Sequence, residues 1–394
     1  MERPPSAVIT VYAAGLLQGL SLVAVPAAAS VLTSSTGYDL SSSEYGLLFL
    51  PQVVFAVLGS IGFPAVVRRF TLKRVLLAGL VANTVAMALL VASNGVQGGA
   101  AAFPVLLVST AALGLGFGLT LGSLSTYAGA FHPDRREVAL TALNVLLGLG
   151  TALSPLLIAV FLDVGEWWYL PLAAAVGLAA VLVVAAAQPL VIDAPPAASG
   201  GSRTAVPRLF WLFAVALVLY GTAETMFGNW GTTLLADDGV AATSATYALA
   251  AFWAAVTLGR LVIALVSARL DSSRIYVVLP WVIALALLVA PAADSVVGGV
   301  VLFALAGLAC SGFFPMTVGY GEARFPDIVE LAAGWLIAAY QIGYGLAAFG
   351  GGALQRVVSL TTLFRITAVL SLGMGLLAVV IARQQRRAAV ATSA

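Results

Sequence analysis

A single carboxylate, that of Glu224, lies in the otherwise uncharged stretch LVLYGTAETMFGNWGTTLL at residues 217–235. Tyr220 and Phe227 share its face of a helix, because residues at i, i+4 and i+7 lie above one another. A carboxylate in such apolar surroundings binds and releases a proton, or accepts hydrogen bonds from a hydroxylated ligand. The stretch therefore predicts a ligand or proton site. The alternative is a protonated glutamate that bonds a neighbouring helix.

Aromatic and amide side chains elsewhere in the second half of the chain suit the same site. Two lie later in the same stretch as the carboxylate, one lies in the next apolar run, and three polar-capable residues cluster on one helical face near residue 340. Aromatic rings with amide and carboxylate acceptors suit polyhydroxylated ligands. These candidates are Asn229, Trp230, Trp253, Tyr340, Gln341 and Tyr344. For Trp230, a position at a membrane interface is an equal alternative.

The first half of the chain offers Gln18, Tyr127 and Asn144 as the corresponding polar candidates, with Asn83 as a weaker one. Each lies within an apolar run. Amides in such positions also bond one helix to another, a contact worth about 0.6 kcal/mol in membranes. A binding role and a helix–helix role therefore stay open for each.

Catalytic and metal-binding groups are scarce in the sequence. The chain has one cysteine, Cys310, and one histidine, His132, which excludes an intramolecular disulfide and leaves little for a zinc site. The glycine-rich GLGFG at 114–118 lacks the lysine and the preceding strand of a phosphate loop. With no paired carboxylates or nucleophile–base couple in view, we expect no enzyme, no cofactor and no metal site. The net charge of +2 is too small to indicate a nucleic-acid partner.

The composition identifies the surroundings of these residues. Of 394 residues, 61% are hydrophobic and 9% are charged, and the mean hydropathy is +1.07, whereas a soluble protein is about a quarter charged. The chain is therefore expected to be an integral membrane protein. Runs that reach the roughly 20 residues needed to span a bilayer occur twelve times. They lie near 8–32, 45–67, 75–94, 103–129, 138–162, 168–190, 209–235, 243–268, 275–293, 297–321, 330–354 and 362–382.

One long break, VIDAPPAASGGSRTAVPR, divides these runs into six and six. Its Pro, Gly, Ala and Ser residues are typical of a flexible linker. We therefore predict a first bundle at 1–190, a linker at 191–208 and a second bundle at 209–394. Most Lys and Arg residues fall on one side of the membrane if both termini are cytoplasmic, as the positive-inside rule requires. The first run also fits a cleaved signal peptide, but its removal would leave eleven spans.

The two halves repeat one another. FHPD after the fourth run matches RFPD after the tenth, and NVLLGLGTAL in the fifth run matches IAAYQIGYGL in the eleventh. GLLQG in the first run matches GTAET in the seventh, which places Gln18 opposite Glu224. We therefore expect an all-α membrane protein with twelve transmembrane helices, in two six-helix bundles related by a pseudo-two-fold axis and able to rock about a central site.

The arrangement resembles the major facilitator superfamily over essentially the whole chain. The resemblance rests on six plus six spans, the central linker, and the short basic loops RRFTLKR and ARLDSSR after the second and eighth runs. Within that superfamily, YGTAETMFGNWGTTLL (220–235) and SGFFPM (311–316) resemble the fucose-permease-like branch, which implies a sugar–proton symporter. Proton-coupled members of that branch hold acids in the first and fourth spans. This chain has Gln18 in the first span and no acid within 103–129.

The resemblance also implies a gate at the cytoplasmic loops. We expect Arg68, Arg69 and Arg269 to contact acids or helix C-terminal carbonyls and so to stabilise one conformation. Arg260, within the eighth span, is expected to act likewise by reaching toward the cytoplasm. The family usually places an aspartate where this chain has Arg68, and Asp271 supplies a substitute charge in the second copy of the loop.

These features lead to one functional expectation and one alternative. The chain is expected to be a monomeric secondary active transporter in the inner (plasma) membrane that moves a small polar neutral solute, such as a sugar. Its partners are then the solute, the lipid bilayer and, if transport is proton-coupled, protons carried by Glu224. The alternative is a proton-driven exporter of hydrophobic compounds or drugs. No feature of the sequence separates import from export.

Overall fold

A computed structural model of the chain describes residues 5–190, 206–237, 239–266, 272–293, 295–325 and 328–393. All regular elements within these ranges are helices. The chain separates into two compact units, Met1–Gly200 and Gly201–Ala394. The division falls inside the predicted linker, which lies largely outside the described residues, as do Arg269 and Asp271 of the predicted gate.

Each unit contains a set of long helices. In the first unit the long helices are α1 (Pro5–Leu22), α5 (Phe49–Arg69), α6 (Leu72–Asn94), α7 (Ala102–Phe131), α8 (Arg136–Asp163) and α9 (Tyr169–Ala187). Three short helices, α2 (Ala24–Ala27), α3 (Ala29–Thr33) and α4 (Ser42–Leu47), lie between α1 and α5. In the second unit they are α10 (Phe210–Asp237), α11 (Ala242–Val266), α12 (Ser272–Val289), α13 (Val296–Arg324), α14 (Val329–Leu354) and α15 (Leu360–Ser393). Their bounds mostly follow the predicted runs to within a few residues.

The long helices have the length and composition of membrane spans. Among the described residues, ten helical segments are long and apolar enough to cross a membrane. Large apolar side chains such as Val183, Val297 and Leu376 are between 63% and 73% exposed, as expected for helix surfaces that contact lipid. Helices satisfy their backbone polar groups internally, which a bilayer requires. The chain is a multi-pass membrane protein, as its composition predicts, and the total of twelve spans stays a prediction.

The first predicted run, 8–32, is not one continuous helix. It is interrupted at Val23 and Ala28 and so divides into α1, α2 and α3. Pro26 explains the first interruption, because its ring clashes with the carbonyl four residues earlier and it has no N–H to donate to that carbonyl. The apolar helix before the interruption, Ser6–Leu22, is consequently shorter than the other spans.

The loop between α3 and α4 is fixed to the rest of the first unit. Its Tyr38 shares a 2.8 Å hydrogen bond with the Ser93 hydroxyl at the end of α6. The Tyr38 ring packs edge-on against Trp167, with the centroids 5.9 Å apart. Burial raises the pKa of Tyr38, so its hydroxyl stays neutral and keeps this bond.

Pairs of glycines set how closely the central helices of each unit cross. In the first unit α1 crosses α8 at Gly19 and Gly150, where an added Cβ would overlap a backbone carbonyl of the partner helix. In the second unit α10 crosses α14 in the same manner at Gly221 and Gly343. Only glycine lets two helix backbones approach this closely. The two units therefore repeat the same helix crossing.

These crossings align the two halves residue by residue. Gly19 and Gly221 make the equivalent contact within their own units, so Gln18 corresponds to Tyr220. The sequence match that placed Gln18 opposite Glu224 is therefore wrong by one helical turn. A shift of one turn keeps every residue on nearly the same helix face, and the apolar pattern alone does not detect it.

Gly343→Ala should destabilise the second unit by about 1–3 kcal/mol, because the new methyl group forces two backbones apart. Gly350→Ala is the matched control on the same helix. Nothing lies within 4 Å of a Cβ added there, so this change should be neutral or stabilising by up to about 1 kcal/mol. Thermal unfolding in detergent measures both. Equal melting temperatures for the two variants would contradict the close crossing.

Candidate functional site

Glu224 lies in the middle of α10 and is 3% exposed. Two phenols contact its carboxyl oxygens. The Tyr220 hydroxyl, one turn earlier on α10, lies 2.6 Å from Oε1, and the Tyr340 hydroxyl of α14 lies 2.6 Å from Oε2. The crossing at Gly221 brings α14 this close. Among the described side chains, Glu224 is the only buried carboxyl group, and the structure joins it to two residues that the sequence selected.

An aromatic stack holds Tyr220 in place. Its ring lies nearly parallel to that of Phe313 on α13, with centroids 5.6 Å apart, and Phe313 stacks on Tyr276 of α12 at 4.7 Å. Tyr276 in turn shares a 3.0 Å hydrogen bond with Thr317. The Tyr220 hydroxyl also lies 2.7 Å from the carbonyl oxygen of Cys310. Tyr220 therefore connects the carboxyl group to the backbone of α13.

Arg260 supplies positive charge beside this group. It lies on α11, and its charge acts electrostatically on Tyr220, Tyr340 and Cys310. Its Nε is buried and makes no hydrogen bond within the described part of the chain. Its predicted role in gating stays a prediction.

Two candidates on α10 form hydrogen bonds with α14. The Asn229 amide nitrogen donates to the hydroxyl of Tyr344 at 3.2 Å, and the Trp230 indole nitrogen donates to the carbonyl of Ala347 at 2.9 Å. Trp230 is fully buried, with its ring against Gly351. It therefore lies between helices, and the interfacial alternative for Trp230 is wrong.

Gln341 and Trp253 keep polar groups that are available to a ligand. The Gln341 side chain is 8% exposed and makes no hydrogen bond with any residue that the structure describes. Trp253 packs on α10 at Gly228, where an added Cβ would lie 3.0 Å from the indole ring. Its indole nitrogen is buried and has no partner among the described residues. Buried donors of this kind are normally satisfied, which makes both residues candidates for ligand contact.

In the first unit, Gln18 forms a buried cluster with Asn83 of α6 and Thr120 of α7. The amide nitrogen of Asn83 lies 2.6 Å from the Gln18 side-chain oxygen, and the Thr120 hydroxyl lies 2.5 Å from the same atom. None of the three residues is more than 1% exposed. The sequence treated Asn83 as weak and missed Thr120. Gly116 of the glycine-rich segment was the available signal, because its missing side chain admits the Asn83 amide.

This cluster contains one donor group and one acceptor that it does not pair. Gln18 Nε2 and Asn83 Oδ1 are buried without partners among the described residues. The single Thr120 proton is engaged by the Gly116 carbonyl at 2.7 Å, which favours turning both amides over so that Gln18 donates. Either orientation leaves one amide nitrogen and one amide oxygen unpaired, at a cost of about 1–3 kcal/mol each. A hydroxyl group, which both donates and accepts, has the chemistry to satisfy them.

Tyr127 and Asn144 make separate contacts within the first unit. Tyr127 donates to the carbonyl of Leu190 at 3.0 Å, two helical turns beyond Thr120 and about 10 Å farther along the α7 axis. Asn144 is exposed and donates to the carbonyl of Leu140 on its own helix at 3.0 Å. Neither side chain bonds the Gln18 cluster.

Arg68 and Arg69 are exposed in the last turn of α5, where their charges favour the negative end of the helix dipole. Neither bonds a residue in the described ranges. In this loop the basic residue with defined partners is Lys73. Its Nζ donates to the carbonyls of Ala186 and Gln188 at 2.7 Å each, at the end of α9. The sequence missed this contact, which joins two helices of the first unit.

Groups for covalent or metal chemistry do not come together in the part of the chain that the structure describes. The Cys310 thiol is buried, and His132 is exposed at the C-terminal end of α7. No three His, Cys, Asp or Glu residues within the described ranges are placed to hold a metal ion. The described polar groups therefore suit hydrogen bonding and proton transfer.

Comparison with known proteins places this fold among solute transporters. No protein-family model matches the chain. The chain is 26% identical over 284 residues to the glucose/mannose transporter GlcP of Bacillus subtilis (strain 168), with 66% of this chain and 69% of that protein covered. A mutant of the nucleoside transporter NupG has a similar crystal structure, with a TM-score of 0.75 and 13% identity over 95% of this chain and 99% of that one.

A second crystal structure, that of a D-xylose–proton symporter, gives a TM-score of 0.76 and 14% identity over 94% of this chain and 96% of that one. The fold of this chain is thus shared with both solved transporters along nearly its full length. The chain is thus similar in sequence to one solute transporter and in fold to two others, as expected from the resemblance that the sequence indicates.

Gln18→Leu should lower the free energy of unfolding by about 1–3 kcal/mol, because the Asn83 amide is left buried without a partner. Asn83→Leu should also be destabilising, but by less, because the Gln18 amide keeps its contact with Thr120. The double variant removes both amides and should lose less than the sum of the single losses, by about 0.6 kcal/mol or more. Unfolding in mixed micelles measures the cycle, with Gln97→Leu, at an exposed glutamine, as the control. Additive losses would contradict the cluster.

Proposed function

We propose that the chain is a secondary active transporter that moves a small polar organic solute across the plasma membrane by alternating access. The observation that carries the proposal is Glu224, a carboxyl group buried in the centre of an apolar helix and held by Tyr220 and Tyr340. An ionisable side chain in a membrane helix costs about 2.5–3.5 kcal/mol and is usually retained for function. The fold shared with solute transporters supports transport as that function.

A sugar or a related polyhydroxylated compound is the proposed solute. The aromatic rings of Tyr340 and Trp253 suit the apolar face of a sugar ring, and Gln341 and Glu224 suit its hydroxyl groups. These contacts are the reason to prefer a polar solute on chemical grounds.

The relatives support the same solute class. One is named for glucose and mannose, one for D-xylose and one for nucleosides, all of which carry several hydroxyl groups. The resemblance of residues 220–235 to the fucose-permease-like branch points the same way. Together they favour sugar transport over the export of hydrophobic compounds.

Protons are the proposed coupling ions, and Glu224 is their proposed carrier. The buried polar residues of the described first unit, Gln18 and Thr120 among them, carry amide or hydroxyl groups and no carboxyl group. With a single carrier, one proton accompanies each solute molecule. If transport is instead uniport, Glu224 acts as a hydrogen-bond acceptor for the solute.

The proposed setting is the plasma membrane, with twelve spans and both termini in the cytoplasm. The distribution of basic residues supports this orientation, and an even number of spans returns the chain to the side on which it began. Arg68, Arg69, Arg260, Arg269 and Asp271 remain the proposed gating residues, and the transporter is proposed to act as a monomer.

Neutral monosaccharides should stabilise the purified protein against heat. A ligand at a hundred times its dissociation constant adds about 2.7 kcal/mol to the stability of the state that binds it. Melting temperatures in detergent with D-glucose, D-mannose, D-xylose and L-fucose are compared with those in organic acids and in hydrophobic cations. Stabilisation by the cations alone would favour the exporter and contradict the sugar proposal.

Glu224→Gln should abolish accumulation of the identified sugar against its gradient while sparing counterflow, since counterflow needs binding but no net proton movement. Proteoliposomes with and without an imposed pH gradient measure both activities. Asp163→Asn, at an exposed carboxyl at the end of α8, is the matched control and should transport normally. In a uniporter, Glu224→Gln would weaken sugar affinity only. Wild-type accumulation, affinity and pH dependence in this variant would overturn the proposal for Glu224.

A further inference from the structure

Three short oxygen–oxygen contacts surround Glu224, but the two tyrosines that take part in them have only two hydroxyl protons. Tyr340 lies 2.6 Å from one carboxyl oxygen, Tyr220 lies 2.6 Å from the other, and Tyr220 lies 2.7 Å from the Cys310 carbonyl. All three distances are those of O–H···O hydrogen bonds, so each contact requires a proton. A phenol carries one proton and a backbone carbonyl carries none. Two phenols therefore supply two protons for three contacts.

The carboxyl group is the remaining source of a proton. An ionised carboxylate and a carbonyl both only accept, so the single Tyr220 proton does not serve both at bonding distance. We infer that Glu224 is protonated in this conformation, that it donates to the Tyr220 hydroxyl, and that Tyr220 donates to the Cys310 carbonyl. These two bonds in series form a latch between α10 and α13, which closes only while Glu224 carries its proton.

Loss of the proton opens the latch. The carboxylate then only accepts, and Tyr220 turns its one proton toward it, because a hydrogen bond to an ionised acceptor is the stronger one. The Cys310 carbonyl loses its partner on α10. One proton leaves Glu224 for the solvent, and no other bond is made or broken covalently. The protonation state of Glu224 on α10 thereby determines whether the backbone of α13 is bonded to α10.

α13 is built to respond at this point. Pro315 lies inside the helix and has no N–H to donate to the carbonyl of Ser311, the residue after Cys310. Helices bend most readily at such positions. Phe313 and Phe314, within this turn, pack against Tyr220 and Tyr340. The latch therefore acts beside a turn of α13 that lacks one backbone bond.

Among the ionisable groups packed around it, Glu224 is the one whose charge changes with pH. They are Tyr220 on α10, Tyr340 and Tyr344 on α14, Cys310 on α13, Tyr276 on α12 and Arg260 on α11, while α15 contributes the apolar Phe364 against Phe227. Phenols and thiols are ordinarily neutral near pH 7, and arginine is always charged. Glu224 is thus the group that changes charge. Arg260, whose Nε has no hydrogen-bond partner among the described residues, is its counter-charge after deprotonation.

The latch rests on the proposed function in one respect, that Glu224 is the proton site of the transport cycle. Its test uses Cys310, which is the only cysteine of the chain, as a reporter. The rate at which a maleimide labels Cys310 measures how often α13 separates from α10. Wild type and variants are compared at the same pH. A carboxylate near the thiol disfavours the reactive thiolate, so this effect slows wild-type labelling and does not imitate the predicted rise.

Glu224→Gln should keep the latch closed at every pH, because the amide donates to Tyr220 as the carboxylic acid does. The ratio of wild-type to Glu224→Gln labelling rates should be near one at acidic pH. It should rise to about fivefold at alkaline pH, the effect of one buried hydrogen bond. Tyr220→Phe should label fast throughout. Tyr276→Phe is the matched control, since it removes a buried phenol hydroxyl from the same stack, and should follow wild type.

A labelling ratio that does not change with pH would overturn the latch, as would a Tyr220→Phe protein that behaves like Tyr276→Phe. If Tyr220→Phe does not fold, the ratio of wild type to Glu224→Gln decides alone. The uptake assays judge the proposed function separately. Sugar uptake together with a labelling ratio that does not change with pH would contradict the latch and support the transport proposal. A labelling ratio that rises with pH, without uptake of any solute, would support the latch and contradict the transport proposal.

Discussion

A carboxyl group within a membrane helix must find its hydrogen-bond partners in the protein, because the hydrocarbon offers none. The second unit is arranged around this requirement at Glu224. The glycine crossing of α10 and α14 brings Tyr340 to one oxygen, and the aromatic stack on Phe313 fixes Tyr220 at the other. Each of these contacts depends on a close approach of helix backbones. The function proposed for the chain follows from the same constraint, since a carboxyl held this way changes its partners when it changes its charge.

The first unit solves the same packing problem without an ionisable group. Its α1 and α8 cross at glycines as α10 and α14 do, and Gln18 takes the place of Tyr220. Gln18 and Asn83 pair through one atom of each amide and leave the other atoms unpaired. The two units therefore share a scaffold but differ in chemistry.

The helices were predictable from the sequence because the bilayer imposes a length and an apolar surface on each of them. The interruption near Pro26 was not predicted, although proline breaks a helix by a local rule that the sequence alone can reveal. The isolation of Glu224 in an uncharged stretch identified the site. Tyr340 was selected as a candidate because polar neighbours accompany it on an apolar helix, but its hydrogen bond to Glu224 was not predicted.

The contacts that complete the site were not predictable, because they depend on which turn of one helix meets which turn of another. The sequence repeat was misaligned by one turn, and the apolar pattern is nearly unchanged by such a shift. Thr120 and Lys73 were missed because their partners are a buried amide and two backbone carbonyls far along the chain.

Glu224 is proposed to carry a proton that it releases during transport. Infrared difference spectroscopy of the purified protein, recorded between acidic and alkaline pH, observes this proton directly through the C=O stretch of a protonated carboxylic acid. One such band should disappear on going to alkaline pH, shift in heavy water and be absent from Glu224→Gln. A Glu224→Gln spectrum identical to that of wild type would contradict it.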